Sequence, residues 1–145
     1  MTIAITIRKA FMTSDSLIAY SLLKHLRGHL AFSEFLEIYQ EAQKRDDYEI
    51  YLLELNGLPV GLIGLRTLFD FVRGKHLYID DLVVHPDYRG RGLGRTLLDF
   101  SQKKAQQLKI QKLRLCTGIK NQEAQKFYEA QKWQNHATAY SKSLG

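Results

Sequence analysis

Cysteine is nearly absent from this sequence, which contains a single one, Cys116, in 145 residues. One thiol can form neither a disulfide within the chain nor a cysteine-based metal cluster. Proline is scarce as well, with two residues, while 45% of the chain is hydrophobic and 25% is charged. This composition is typical of a globular protein, and we expect no metal site in it.

Long apolar runs are also missing. No window of the sequence approaches the roughly 20 apolar residues that a membrane-spanning helix requires. The N-terminal segment alternates apolar and polar side chains, whereas a secretory signal has basic residues first and a continuous apolar stretch after them. We therefore expect a cytosolic protein without a membrane partner.

Positive charge is in excess, because 21 Lys and Arg residues against 15 Asp and Glu residues give a net charge of +6. Such a charge favours a polyanionic partner. It does not distinguish a nucleic acid from a phosphate-rich cofactor, so charge alone leaves both classes open.

The chain has no repeat, low-complexity tract or linker, which predicts a single domain over residues 1–145. Apolar residues that alternate predict strands, and apolar residues three and four positions apart predict helices. The dipeptide Asn56-Gly57 predicts a hairpin turn. The predicted strands span residues 2–11, 48–55, 59–69, 76–84, 111–116 and 137–144, and the predicted helices span 14–27, 32–39, 93–108 and 121–131. The order β-α-α-β-β-β-α-β-α-β predicts an α/β protein with a central mixed, twisted sheet flanked by helices.

A glycine-rich turn between the fourth strand and the third helix is the most informative segment. It reads Arg89-Gly90-Arg91-Gly92-Leu93-Gly94-Arg95. Glycine lets the backbone adopt positive φ and approach a ligand closely. The first amides of the following helix have no intrahelical partner and carry the positive end of the helix dipole. The turn therefore predicts an anion site of the kind that binds phosphates, with three arginines adding charge around it.

Other phosphate-binding motifs fit this turn poorly. A Walker A loop requires GxxxxGK[ST], and the sequence contains no such string. A dinucleotide-binding fold requires GxGxxG early in a βαβ unit with an acidic residue roughly 20 positions later, and the glycine spacing here differs. The remaining alternative is a glycine-rich turn with surface arginines, which the strand before it and the amphipathic helix after it disfavour.

The turn resembles the coenzyme motif [RQ]-x-x-G-x-[GA] of the GCN5-related N-acetyltransferases, the GNAT family, with Arg89, Gly92 and Gly94 at its fixed positions. The order of strands and helices resembles that family over nearly the whole chain. The resemblance implies acetyl-CoA as co-substrate, with its pyrophosphate held by main-chain amides of residues 89–95. It also implies that the preceding strand pairs its backbone with the pantetheine arm through Leu82, Val83 and Val84.

A second stretch resembles the same family further along the chain. Asn121 and Tyr128 are seven residues apart on a predicted helix, hence on one face. The resemblance implies that Asn121 contacts the coenzyme and that Tyr128 lies at its sulfur, where a phenol with a pKa of about 10 could protonate the leaving thiolate. The sequence departs from the family pattern at the end of this helix, where Lys132 and Trp133 replace the usual glycine and phenylalanine.

The acceptor amine must lose a proton before it attacks a thioester, and two carboxylates precede the coenzyme-pairing segment. Alternation along a strand sends Asp80 and Asp81 to opposite faces, so we expect one of them to face the amine. Resemblance to acetyltransferases of the polyamine type favours Asp80 as the base, acting through water. The alternative is that these residues form ordinary ion pairs with Arg73 or Lys75.

These observations predict an N-acetyltransferase that moves the acetyl group of acetyl-CoA directly to a primary amine in a ternary complex. Two carboxylates suit a cationic acceptor, either a small molecule or a peptide. A non-catalytic sensor of coenzyme A with the same fold is an alternative. A nucleic-acid-binding module is a further alternative, which the lack of an arginine-rich helix disfavours. Since final strands of such sheets often pair between subunits, a homodimer is an option.

Overall fold

A computed structural model describes residues 2–145 of the chain. The described chain forms two compact units, one up to Arg114 and one from Leu115 to Gly145. The elements are β1 (Ile5–Lys9), α1 (Met12–Leu23), α2 (Phe32–Asp46), β2 (Glu49–Leu55), β3 (Leu58–Asp70), β4 (Gly74–Val84), a 3-10 turn (Pro86–Tyr88), α3 (Leu93–Gln107), β5 (Leu113–Leu115) and α4 (Gln122–Ala130).

The strands form one sheet in the order β1-β2-β3-β4-β5. The first four strands pair antiparallel with their neighbours. The turn between β2 and β3 has positive φ at both Asn56 (49°) and Gly57 (84°), which is the conformation that a two-residue hairpin turn needs. The hairpin predicted from these two residues is therefore confirmed.

Strand β2 is buried on both faces, because helices cover the sheet from both sides. Ile50 and Leu52 face the α1 and α2 side, where they join the core that contains Ala19, Leu22 and Phe35. Tyr51 faces the other side and packs on Phe100 of α3, with ring centroids 4.8 Å apart. The resulting order of layers is helices, sheet, helix, and the predicted α/β class with a helix-flanked sheet is confirmed.

The loop between α1 and α2 begins earlier than the sequence predicts. The apolar pattern extends to Arg27, whereas α1 ends at Leu23 and the next residues form hydrogen-bonded turns. These turns place Arg27 beside β4, where its guanidinium reaches Asp81. The early end of α1 therefore brings Arg27 to the candidate site.

The predicted last strand, residues 137–144, is wrong, because the structure has no regular secondary structure there. Tyr140 and Leu144 are both 92% exposed. An alternating pattern of side chains is not sufficient for a strand, because the backbone must also form hydrogen bonds with a neighbouring strand. Within the described chain, the five-stranded sheet does not include this segment.

No helix among residues 2–145 combines the length and the apolar character needed to cross a membrane.

Candidate active site

The glycine-rich turn, residues 89–95, forms an open loop that ends in the first turn of α3. Gly90 (φ 77°) and Gly92 (φ 76°) both adopt the left-handed conformation, and a Cβ at either position would have no atom within 4 Å. The loop therefore leaves its backbone accessible from outside. We call residues 89–95 the anion loop.

The start of α3 supplies amide donors to this loop. Gly92 is the N-cap of α3, and the amide of Thr96 donates to its carbonyl at 3.1 Å. The preceding amides, those of residues 93–95, have no intrahelical acceptor, as at the start of any helix. Together with the positive end of the helix dipole, they make the loop suitable for an anion such as a pyrophosphate.

The arginines of the anion loop are directed by neighbouring groups. The Nε of Arg89 donates to the carbonyl of Val84 at 3.2 Å. The guanidinium of Arg91 lies 5.1 Å from the ring centroid of Tyr88. Both arginines are exposed, so they contribute positive charge at the surface of the loop.

The end of β4 has an open edge next to the anion loop. The amide of Leu77 donates to the carbonyl of Lys112 at 3.0 Å, immediately before β5 begins. β5 has only three residues, so it ends before it could reach residues 82–84 of β4. Those residues pair with β3 on one side, and no strand of the described chain lies along their other side. Apart from the Val84 carbonyl, which accepts from Arg89, backbone groups on that side are available to an extended ligand.

A β-bulge interrupts β4 at the predicted acidic pair. Gly64 of β3 lies opposite Asp81, but the next residue, Leu65, lies opposite Ile79, so Asp80 is the extra residue on β4. A bulge breaks the strict alternation of side chains and redirects those near it. The expectation that alternation sends Asp80 and Asp81 to opposite faces is therefore wrong, since both carboxylates take part in one side-chain cluster.

Asp80 forms a two-point ion pair with Arg66 of β3. The Nε and Nη2 of Arg66 donate to the two carboxylate oxygens at 2.7 and 2.9 Å. The Nη1 of the same guanidinium donates to Asp46 at 2.9 Å. Burial raises the pKa of Asp80, and the Arg66 guanidinium opposes this rise.

Asp81 has different partners on its two oxygens. Its Oδ2 accepts a hydrogen bond from the hydroxyl of Tyr48 at 2.7 Å. Its Oδ1 accepts one from the Nε of Arg27 at 3.3 Å, and Arg27 also donates to the carbonyl of Asp80 at 3.1 Å. We call Tyr48, Asp80, Asp81, Arg27 and Arg66 the bulge cluster.

The partners of the acidic pair differ from those that the sequence suggested as an alternative. Arg73 pairs with Asp70 at 2.6 Å, across the turn between β3 and β4. The observed partners are Arg66 on β3 and Arg27 on the loop after α1. Arg27 is distant from the acidic pair in sequence, and Arg66 lies on the neighbouring strand of the hairpin. No local sequence motif therefore links either arginine to the acidic pair.

Tyr48 and Gly64 were not predicted as parts of a site. The Tyr48 ring lies directly over Gly64, where an added Cβ would be 2.1 Å from the phenolic oxygen. Glycine inside a strand often marks a bulge or a close approach of another group. Gly64, one of two glycines in β3, meets both conditions. Together with the acidic pair, it was a signal in the sequence that pointed to the bulge cluster.

Asn121 and Tyr128 belong to the second compact unit. Asn121 is the N-cap of α4, and its Oδ1 accepts a hydrogen bond from the amide of Ala124 at 3.1 Å. Tyr128 packs on Phe127 and Trp133, with ring centroids 5.3 and 6.0 Å away. Burial raises the pKa of Tyr128, so its phenol stays protonated at neutral pH.

Lys132 adopts a left-handed conformation at the end of α4, with φ of 70°. The amide of Trp133 donates to the carbonyl of Tyr128 at 3.0 Å, which closes the helix in the manner of a Schellman motif. Glycine is favoured at such a position because it has no Cβ. The departure from the family pattern at Lys132 therefore affects helix termination and not a reacting group.

Among residues 2–145, no three or more His, Cys, Asp or Glu side chains form a group that could hold a metal ion. Cys116 is a free, exposed thiol. That the protein acts without a metal stays a prediction.

The sequence profile of the acetyltransferase (GNAT) family matches residues 17–133. An aminoalkylphosphonate N-acetyltransferase of Salmonella typhimurium is 30% identical over 135 residues, which cover 91% of this chain and 87% of that protein. An uncharacterized N-acetyltransferase of Bacillus subtilis, YhdJ, is 26% identical over 110 residues, 76% of this chain and 78% of that protein.

The aminoglycoside N-acetyltransferase AAC(6')-Iy, solved in complex with CoA, has a closely similar fold. Its TM-score is 0.84 at 19% identity, and the match covers 99% of this chain and 98% of that one. The family profile spans most of the sequence and a relative of similar length is 30% identical. The chain therefore belongs to the acetyltransferase (GNAT) family and is an acetyl-CoA-dependent acyltransferase.

Proposed function

We propose that this protein is an N-acetyltransferase that moves the acetyl group of acetyl-CoA directly to a primary amine of a small molecule. The observation that carries this proposal is the anion loop beside an open strand edge, both in the first compact unit. The family profile covers parts of both units. We accordingly propose that residues 1–145 act as one acetyltransferase domain.

The anion loop is proposed to hold the pyrophosphate of the coenzyme. Its two left-handed glycines leave the backbone uncovered, and the first amides of α3 are free to donate. Arg89, Arg91 and Arg95 add attraction for the phosphates from an exposed position. The open edge of β4 at residues 82–84 would pair with the amide groups of the pantetheine arm.

Tyr128 and the acidic pair are proposed to move the protons. As the amine nitrogen bonds to the thioester carbon, the carbon–sulfur bond breaks and the sulfur leaves as a thiolate. Tyr128 donates its phenolic proton to that sulfur, and its raised pKa keeps the proton available. One carboxylate of the pair Asp80 and Asp81 receives the proton that the amine gives up. Asn121 is proposed to contact the coenzyme through its amide nitrogen, since its Oδ1 caps α4.

The acceptor is proposed to be an amine that also carries an anionic group. The sequence favoured a cationic acceptor because of the two carboxylates, but each of them already has an arginine partner. The pairing leaves little excess negative charge to attract a polycation. A relative that shares 30% identity is named for aminoalkylphosphonates, which combine an amine with an anion. A panel of aminoalkylphosphonates, simple alkylamines and polyamines, compared by kcat/KM, tests this preference.

Titration calorimetry with acetyl-CoA tests the coenzyme site. We expect Gly92→Glu to weaken binding at least about 100-fold, because it puts a negative charge where the pyrophosphate binds and a side chain at positive φ. Gly57→Glu is the matched control, since Gly57 also has positive φ and open space around it but lies in the β2–β3 turn. Equal affinity in the Gly92→Glu variant and the wild type would reject the anion loop as the coenzyme site.

Kinetics of Tyr128→Phe separate an enzyme from a coenzyme sensor. Loss of a general acid should lower kcat about 100-fold or more while the affinity for acetyl-CoA changes little. Tyr140→Phe is the control in the same unit, because Tyr140 is 92% exposed. Tight binding of acetyl-CoA with no turnover of any amine by the wild type would favour the sensor instead.

A further inference from the structure

The two oxygens of the Asp81 carboxylate are bonded by partners of very different exposure. The hydroxyl that bonds Oδ2 belongs to Tyr48, which is 6% exposed. The guanidinium that bonds Oδ1 belongs to Arg27, whose side chain is 45% exposed and whose contact is longer, 3.3 Å. One oxygen is therefore fixed from within the fold, and the other is covered by a side chain that can leave.

We propose that Tyr48 is a positioning residue that holds Asp81 as the proton acceptor for the amine, with Oδ1 as the accepting atom. This inference rests on the proposed function and selects Asp81 over Asp80 within the acidic pair. Arg27 covers Oδ1 in the free enzyme, and the incoming amine replaces it there. The proton passes from the amine nitrogen to Oδ1 before the new carbon–nitrogen bond forms, and it leaves to solvent afterwards.

Asp80 is less suited to accept this proton because one guanidinium bonds both of its oxygens at short distance, whereas Oδ1 of Asp81 has only the longer contact with the exposed Arg27. The Arg66 guanidinium bonds the two Asp80 oxygens at 2.7 and 2.9 Å and is itself held by Asp46. Protonating Asp80 would remove the negative charge that strengthens both of its hydrogen bonds with Arg66. The ion pair between Asp80 and Arg66 instead has a structural role, which is to stabilise the bulge next to Asp81.

Tight packing of the Tyr48 ring fixes the position of its hydroxyl on Asp81. The ring occupies the space above Gly64 that any larger residue would fill. It packs edge-on against Tyr39, with centroids 6.0 Å apart. Burial and the nearby Asp81 charge raise the pKa of Tyr48 well above its ordinary value, so its hydroxyl remains a donor throughout the pH range of the reaction.

The four members of the bulge cluster other than Asp81 come from four different parts of the chain. Arg27 approaches from the loop after α1, and Tyr48 from the residue before β2. Arg66 lies on β3, with its guanidinium 5.9 Å from the Tyr48 ring. Asp80 is the neighbour on β4 itself. Within residues 2–145, Tyr48 and Arg27 bond the Asp81 carboxylate directly, so Tyr48→Phe removes the contact to Oδ2 and leaves the one to Oδ1.

Steady-state kinetics of Tyr48→Phe test the proposal. Losing the hydroxyl that fixes Oδ2 should lower kcat about tenfold while KM for the amine and the affinity for acetyl-CoA change little, because the misplaced carboxylate affects proton transfer and not ground-state binding. Tyr39→Phe is the matched control, since it removes a hydroxyl from the same buried cluster without touching Asp81. An unchanged kcat in Tyr48→Phe, or an equal loss in Tyr39→Phe, would overturn the positioning role.

The two single amide variants test the choice of base. We expect Asp81→Asn to lower kcat by a factor of 100 or more, and Asp80→Asn to act mainly through KM and stability. Thermal unfolding of both variants checks that they are folded. An active Asp81→Asn beside an inactive, folded Asp80→Asn would assign the proton to Asp80 and reject the inference.

Carbon-13 nuclear magnetic resonance of labelled aspartate reads the Asp81 carboxyl without any substrate. We expect the Asp81 carboxyl resonance at neutral pH to move in Tyr48→Phe and to stay in place in Tyr39→Phe, because the Tyr48 hydroxyl bonds that carboxylate. An unmoved resonance in Tyr48→Phe rejects the positioning role even where the kinetics agree with it. Because this measurement needs no turnover, a moved resonance with no acetyl transfer to any amine would refute the proposed function alone.

Discussion

The anion loop follows soon after the acidic pair of the bulge cluster along the chain, but the loop and the cluster are built by different means. The loop presents backbone amides and needs only glycine conformations and a helix start, all within residues 89–95. The bulge cluster presents side chains that come from the loop after α1, from the residue before β2, from β3 and from β4. A local motif specifies the first, and tertiary packing assembles the second.

The two sites also differ in the free-energy cost that a glycine substitution would have. Gly90 and Gly92 are surrounded by open space, so a substitution there is opposed only by backbone strain. The phenol end of the Tyr48 side chain lies against Gly64, so a larger residue there is opposed by a steric clash. We therefore expect loop variants to change ligand binding more than stability, and cluster variants to change both.

The largest effect on stability is expected from Gly64→Ala. A Cβ only 2.1 Å from the phenolic oxygen must displace Tyr48, at a cost of about 3 kcal/mol in the free energy of unfolding. Gly90→Ala, with φ of 77° and no neighbour within 4 Å, should cost about 1 kcal/mol. Urea denaturation of both variants compares them directly. Equal losses would contradict the distinction between a packed glycine and a strained one.

A smaller effect is expected from the arginines of the anion loop. Arg91→Gln or Arg95→Gln should weaken acetyl-CoA binding by about three- to tenfold, because exposed charges contribute modestly and are screened by salt. Calorimetry at low and high ionic strength should show the difference from wild type shrinking as salt is added. If either variant lost as much affinity for acetyl-CoA as we expect for Gly92→Glu, the arginine side chains and not the backbone amides would contribute most to coenzyme binding.

The smallest effect is expected at Lys132, which has the same backbone conformation as the loop glycines without a ligand to bind. Lys132→Gly should raise the free energy of unfolding by about 0.5–1 kcal/mol, since it removes the strain of a left-handed Lys with φ of 70°. Lys126→Gly, inside α4, is the control and should lower stability by about 1 kcal/mol. A destabilised Lys132→Gly would mean that the lysine side chain contributes contacts that outweigh the strain.

Several elements were predictable because their signals are local. The Asn56-Gly57 turn depends on two residues that tolerate positive φ. The start of α3 after Gly92 follows from the glycine turn and the apolar spacing behind it. The segment 137–144 has a strand-like pattern too, but a strand requires a neighbour, and the pattern carries no information about one.

The sequence by itself determined the anion loop, the order of the main strands and helices, and the resemblance that placed the chain in its family, because each depends on residues within a few positions of one another. Only the tertiary structure decided the environment of the acidic pair. The bulge at Asp80 appears only when β4 is set beside β3. The contacts of Arg27 and Tyr48 with Asp81 span 54 and 33 residues, and contacts over such separations arise from packing that no local pattern encodes.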